Sequence, residues 1–573
     1  LLYIASLIEI INKYTYMIRR KLLFIALGAI GITLTTNDAL SCTNLIVTKG
    51  ATQDGSTMIT YLADSHALYG ELYFKPAADY TPGTLFDVNE WDTGKYLGKI
   101  KQAAHTYSVV GNMNEHQLAI GETTFGGREE LQDTTALIDY GSLIYITLQR
   151  AKTAREAIQI MASLVEEYGY YSSGESFSIA DPNEAWILEM IGKGTQLGGK
   201  GKTKVNLNKG AVWVARRVPD GYISGHANQA RIRQFPLNDP ENCLYSKDVI
   251  SFARSKGWFA GKDEAFSFAD TYAPLTYSAL RFCEARVYSM FNRAAPSQKL
   301  SMDYVLGVET AEPMPLWIKP DNKLSVKEVM ELMRDHYEGT ALDMTKDLGA
   351  GPYTLPYRWR PMTWKVDGVE YCHERAISTQ QTGFSFVAQC RSWIPDPIGG
   401  IIWFGVDDSY STVYTPMYCG MTRVPQSFAE GNGNLYTYSS TSAFWVFNAV
   451  SNFAYSRYSD MIKDIRARQA ELEGEYLTYV PAIDKAALDL YKSNKKLAIE
   501  FVTNFSVNQG NNTVDQWRKL GESLLVKYMD GNVKQDGKIL HPEYPEWWLR
   551  KIAESTGDQL KTKKIKNEPA NSH

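Results

Sequence analysis

The chain has 573 residues, with 60 Lys and Arg against 64 Asp and Glu and a formal net charge of −4. So even a balance excludes a general electrostatic affinity for nucleic acid. With 12% aromatic residues, including 36 Tyr and 13 Trp, the chain is not predominantly disordered and is long enough for a large core.

In chain order, Arg19, Arg20 and Lys21 precede an apolar run, Leu22 to Leu34, broken only by glycine and Thr33. Its length suits the apolar segment of an export signal better than a membrane span. Met17 reads as the initiator, with Leu1 to Tyr16 upstream of it. Ala39 and Ser41 stand three and one positions before Cys42, as signal peptidase requires. Cleavage after Ser41 leaves Cys42 first in the mature chain of an exported protein. An uncleaved N-terminal anchor is the alternative. No later apolar run reaches spanning length, so no stable membrane span remains after removal.

Thr43 to Thr48 and Thr57 to Tyr61 read as strands joined through the Asp54-Gly55-Ser56 turn. A second strand pair is predicted at Tyr107 to Gly111 and Leu118 to Gly121, across a polar turn at 112–115. Helical apolar spacing runs from Ser142 to Glu167. Strands follow at Ser176 to Ala180, Ala185 to Ile191 and Gly210 to Arg216, the first two linked by Asp181-Pro182-Asn183. Gly192 to Lys209 is a Gly/Lys-rich loop. Its Gly201-Lys202-Thr203 ends like a phosphate-binding loop, but Gln196 stands where that motif needs glycine, so it reads as a solvated insertion. Ile401 to Val406 and Ser411 to Pro416 form a predicted hairpin across Asp407 and Asp408. From Ser442 the pattern turns helical, with amphipathic stretches to Glu473, from Asp484 to Asn504 and beyond Thr513. Lys561 to His573 is a basic tail. The expected division is 1–41 as extension and signal, 42–440 as the main domain, and 441–573 as a helical C-terminal region.

Cys42 is the residue with most chemistry to offer. At a mature N-terminus it combines a thiol with an α-amine that can act as its base. A free cysteine titrates near ~8.5 and an α-amine near ~7.7–8.0, close enough to exchange a proton at neutral pH. That combination defines an N-terminal nucleophile hydrolase. The other five cysteines (243, 283, 372, 390 and 419) show no CxxC spacing and read mostly as buried thiols. His66, His105, His116 and His226 have no ligand spacing, so no metal or other cofactor is implied.

Three blocks resemble a known family. Cys42-Thr43-Asn44-Leu45-Ile46-Val47 with Asp54-Gly55-Ser56-Thr57-Met58-Ile59 is similar to the opening of the N-terminal nucleophile cysteine dipeptidases, the dipeptidase A-type and secernin-like relatives of penicillin V acylase and choloylglycine hydrolases. Residues Asn114 to Thr123 resemble that family's NExGxxIGET block, with Gln117 in place of its glycine. Trp186 to Glu189, Trp213 to Asp220 and Ala227 to Ile232 resemble its later core. The resemblance implies an α+β fold, an αββα sandwich of two antiparallel sheets. It also implies metal-free hydrolysis of short peptides through a thioester.

Carried over by position, Cys42 matches the nucleophile, Asp64 the acid that holds its amine, and Asn228 an amide donor to the oxyanion. Glu122 or Thr123 falls where related acylases place a second donor. Arg281 and Arg286 both lie where the family has a late arginine. Tyr61 stands where it usually has an earlier one, so the thiolate lacks one expected cation. Two other readings use the same residues: a different linear-amide hydrolase, acting on a bile-salt conjugate or acylated amine, and a lipid-anchored envelope binding protein. An exported enzyme of the periplasm or cell envelope of a Gram-negative-type bacterium is the expectation, and a homo-oligomer is left open.

Overall fold

The computed structural model describes residues 42–200, 204–359 and 362–563. The export signal over 1–41, Gly201-Lys202-Thr203 and the tail from 564 lie outside the described residues. The principal strands are β1 (Asn44–Val47), β2 (Thr57–Asp64), β3 (Ala119–Gly126), β4 (Gly174–Ala180), β5 (Ala185–Gly192), β6 (Ala211–Arg217), β7 (Ile223–His226), β8 (Thr382–Cys390), β9 (Ile401–Val406) and β10 (Thr415–Tyr418). The principal helices are α1 (Tyr140–Leu148), α2 (Ala154–Tyr168), α3 (Ala285–Ala294), α4 (Ala443–Tyr455), α5 (Tyr458–Ser493) and α6 (Lys495–Tyr528).

Two antiparallel sheets organise the chain, which is α+β as expected. One runs β7-β1-β2-β8-β9-β10. The other has eight strands, with β6-β5-β4-β3 at its centre and short strands at both edges. Both faces of the second sheet are covered, so its central strands are almost wholly buried, polar residues included. In β5, Trp186, Leu188 and Met190 pack with α1 and α2, while Ile187 and Ile191 join the core shared with the first sheet. This follows from the two-residue period of a strand. Helices α4, α5 and α6 pack on β9 and β10, so the helical C-terminal region supports the sheet that carries Cys42.

The sheets meet most closely where β3 crosses β2. A Cβ on Gly121 would stand 3.0 Å from the Asn44 side-chain amide, 3.2 Å from Tyr61 Cβ and 3.3 Å from Thr60 O. Asn44 reaches across this gap. With its amide oxygen turned to the donors, it accepts from Glu122 N and donates to Glu122 O, both at 3.0 Å. Gly121→Ala is therefore expected to lower stability by about 1–3 kcal/mol through overpacking. Thermal denaturation would read this as a lower Tm, and an unchanged Tm would mean the sheets stand further apart.

Several local expectations need correction. The strand pair over 107–121 is not a simple hairpin. Met113–Asn114 inserts as a short strand between Val109–Val110 and β3. Buried Asn114 drives this, accepting from His116 N and Leu118 N and donating to Leu148 O and Ala151 O. Gln117 adopts φ 62°, the left-handed region a glycine favours, and its Oε1 accepts from Arg391 N at 2.7 Å.

The predicted 142–167 helix is two helices. Thr153 caps α2 through Glu156 N, and Asp181 accepts from Ala154 N at 2.9 Å, so side chains satisfy the orphan donors of a new N-terminus. In the C-terminal region the break falls at Asn494 rather than between 473 and 484. Helix α5 continues through Pro481, and Asn494 caps α6 by accepting from Leu497 N. Strands β9 and β10 pair as far as Phe404 with Thr415, so their loop is wider than the Asp407-Asp408 turn. Thr412 occupies it by bonding both Val406 N and Val406 O.

Candidate active site

Cys42 lies at the start of β1, fully buried. Thr43 begins the pairing by exchanging both backbone hydrogen bonds with Leu62, which sets Cys42 beside the end of β2. Three groups surround the thiol. Its Sγ is 3.5 Å from Glu122 Oε1 and 3.8 Å from Tyr61 Oη, and the Asp64 backbone N–H points at it. Burial pushes the thiol well above its ordinary pKa, and the carboxylates of Glu122 and Asp64 add to this. Among the described residues no arginine is seen to contact the sulfur.

Arg286 instead anchors the backbone that carries the sulfur. From α3, Nη1 donates to Cys42 O at 2.6 Å and Thr43 Oγ1 at 2.7 Å. Nη2 donates to Asn228 Oδ1 at 2.8 Å and Ala227 O at 3.2 Å, and Nε to Phe282 O at 2.7 Å. Asn228, at φ 63° just after β7, turns its Nδ2 to Thr124 O at 2.7 Å. One guanidinium thus links the start of β1, the end of β7 and, through Asn228, β3.

Asp64 is also fully buried. Arg375 Nη2 and Thr382 Oγ1 each donate to its carboxylate at 2.6 Å. Burial still raises its pKa against these partners. Glu122 accepts from Tyr61 Oη and lies against the Glu175 carboxyl on the neighbouring strand. Thr123, next along β3, is buried, and its Oγ1 has no hydrogen-bond partner.

A small pocket lies beside the thiol. Tyr61, Asp64, Asn112 and Tyr140 supply polar wall; Leu68, Trp91, Ile144, Tyr145 and Phe384 supply apolar wall. Trp91 stacks on Tyr145 with ring centroids 4.2 Å apart. Tyr140 donates to Asp92 at 2.9 Å, whose pKa burial raises to about 7.

Cys42, Asp64, Glu122, Asn228 and Arg286 therefore come together. Arg281 does not join them: it pairs with Glu374. Sequence reasoning missed Arg375 and Glu175. Arg375 sits in a stretch with no readable periodicity. Glu175 offered a signal, an acid at the edge of a strand otherwise without charge, but the predicted strand began one residue after it.

Residues 71–471 match Peptidase family C69, a span that begins after Cys42 and Asp64 and includes the other candidate residues. The chain is 23% identical over 484 residues to a probable dipeptidase of Latilactobacillus sakei, covering 81% of this chain and 90% of that one. It is 25% identical over 403 residues to a probable dipeptidase of Salmonella dublin, covering 67% and 82%. Against probable dipeptidase A of Streptococcus pyogenes serotype M1 the figures are 24% over 499 residues, 80% and 92%. The family match alone spans well over half of the sequence, and the chain belongs to Peptidase family C69.

Proposed function

We propose that this peptidase hydrolyses dipeptides with Cys42 as nucleophile, on an N-terminal nucleophile hydrolase fold, after export and removal of residues 1–41. The observation that carries the reading is the thiol of Cys42, held at the wall of a small pocket by β1, β2 and the Arg286 anchor. The sulfur attacks the peptide carbonyl, the amine leaves, and water cleaves the thioester. Asn228 and Thr123 are the oxyanion donors in this reading, each donor contributing roughly 2.7–4 kcal/mol to the transition state. Asp64, fixed by Arg375 and Thr382, orients the amine of the processed Cys42. Arg286, not Arg281, serves as the active-site arginine.

The apolar wall of the pocket suits a short substrate with an apolar side chain beside the scissile bond. The same wall also suits an acyl chain, which keeps the other linear-amide hydrolases as the second reading. Two measurements test the pair together. Intact mass of protein from an exporting host is expected to begin at unmodified Cys42; a lipidated or uncut Cys42 would overturn the mechanism. A panel of free dipeptides beside their N-acetylated and C-amidated forms is expected to be cleaved only as free dipeptides. Preference for the N-acylated forms would favour the second reading.

A further inference from the structure

Glu122 and Glu175 are two fully buried carboxyls in contact, and among the described residues neither forms an ion pair. Their hydrogen-bond donors are Tyr61 and the Cys42 thiol for Glu122, and Thr124 Oγ1, at 3.0 Å, for Glu175. The second oxygen of each finds no donor from any other side chain. Like charges cannot both persist at that range in a dry site, so the pair holds one proton between them. Burial raises both pKa values, and the Glu122 charge raises Glu175 further. Two donors, Tyr61 Oη and the Cys42 thiol, face Glu122 and one, Thr124 Oγ1, faces Glu175, so Glu175 keeps the proton and Glu122 faces the thiol as a carboxylate. Its position is fixed, because Asn44, two residues from the nucleophile, clamps its backbone at both N–H and C=O.

We propose that Glu122, backed by protonated Glu175, is the group that takes the Cys42 proton and returns it to the leaving amine. This rests on Cys42 being the nucleophile. The S–H bond breaks and an O–H bond forms on Glu122 Oε1, 3.5 Å away, while sulfur bonds to the peptide carbonyl carbon. Net charge is unchanged, which matters where no cation touches the sulfur. As the tetrahedral adduct collapses, the C–N bond breaks and Glu122 gives its proton to the amine. In the second half a water proton goes to Glu122, its hydroxyl bonds to the thioester carbon, and sulfur leaves with the proton from Glu122. The α-amine of Cys42 is then free to bind rather than to titrate.

The test uses the processed protein in wild-type, Glu122→Gln and Glu175→Gln forms. It reads kcat and KM for a free dipeptide against pH, and the rate of Cys42 alkylation by iodoacetamide. Glu122→Gln is expected to lower kcat by about 10²–10⁴-fold with KM little changed, and to erase the acid limb of the kcat profile. Glu175→Gln is expected to move that limb to higher pH, because the carboxamide is a weaker hydrogen-bond donor than the Glu175 acid that holds the Glu122 pKa down. A Glu122→Gln enzyme with undiminished kcat and the same acid limb would overturn the relay, as would a rise in KM alone, which marks substrate binding instead. Faster alkylation together with retained turnover would make Glu122 a mere repelling charge and also overturn it. If Glu122→Gln does not fold, the Glu175→Gln limb decides: no shift counts against the relay. Failure of the parent reading looks different: alkylation of Cys42 in the wild type would leave turnover intact.

Discussion

Cys42→Ser is expected to fold and be processed normally and to lose turnover by at least about 10³-fold. The exchange removes only the difference between sulfur and oxygen at a fully buried position, so Tm should move little. Chemistry moves far more. The wild-type thiol is already held above its ordinary pKa by burial and by two carboxylates, and a hydroxyl is a much weaker acid in the same place. Among the described residues no side-chain cation is seen to contact this position, and Arg286 is spent on Cys42 O, Thr43, Asn228, Ala227 and Phe282. Steady-state kinetics with intact mass and Tm on the same sample give the check. Wild-type-like kcat in a correctly processed, folded variant would sink the nucleophile assignment.

The second large effect belongs to Arg286. Arg286→Met removes five hydrogen bonds from a side chain that is 1% exposed and leaves buried acceptors on three segments unpaired. A stability loss of about 3–5 kcal/mol is expected, read by chemical denaturation. Turnover should fall by about 10²-fold or more in the fraction that still folds, because the start of β1 loses the anchor that sets the sulfur against the cavity. Arg281→Met is the contrast. It breaks one ion pair with Glu374 and should leave kcat within a few-fold of wild type. Equal losses of kcat in the two variants would show that the anchor has no special part.

Local physics made much of this legible beforehand. Strand segments stood out because buried strands in two covered sheets are mainly apolar, as in β5, where Glu189 is the one charged residue. The Asp181 turn was readable because its Oδ1 accepts from Asn183 N and Glu184 N, an interaction encoded within four residues. Helix breaks were less legible where the deciding partner is remote. Asp181, which helps start α2, is 27 residues from Ala154.

The sequence by itself pointed to the α+β class and marked Cys42 as the candidate nucleophile. It also marked Asp64, Glu122 and Asn228 as candidate partners, through the family resemblance of the short blocks in or beside which they lie. Only the tertiary structure decided between Arg281 and Arg286. Five residues apart along helical backbone, they leave on different faces, and only the packing of α3 on β7 turns Arg286 to Cys42. It alone also brought Arg375 to Asp64 across 311 positions, and Glu175 to Glu122 through strand register. Charges that meet across sheets are set by the folding of segments that share no local pattern, so no window of sequence contains them.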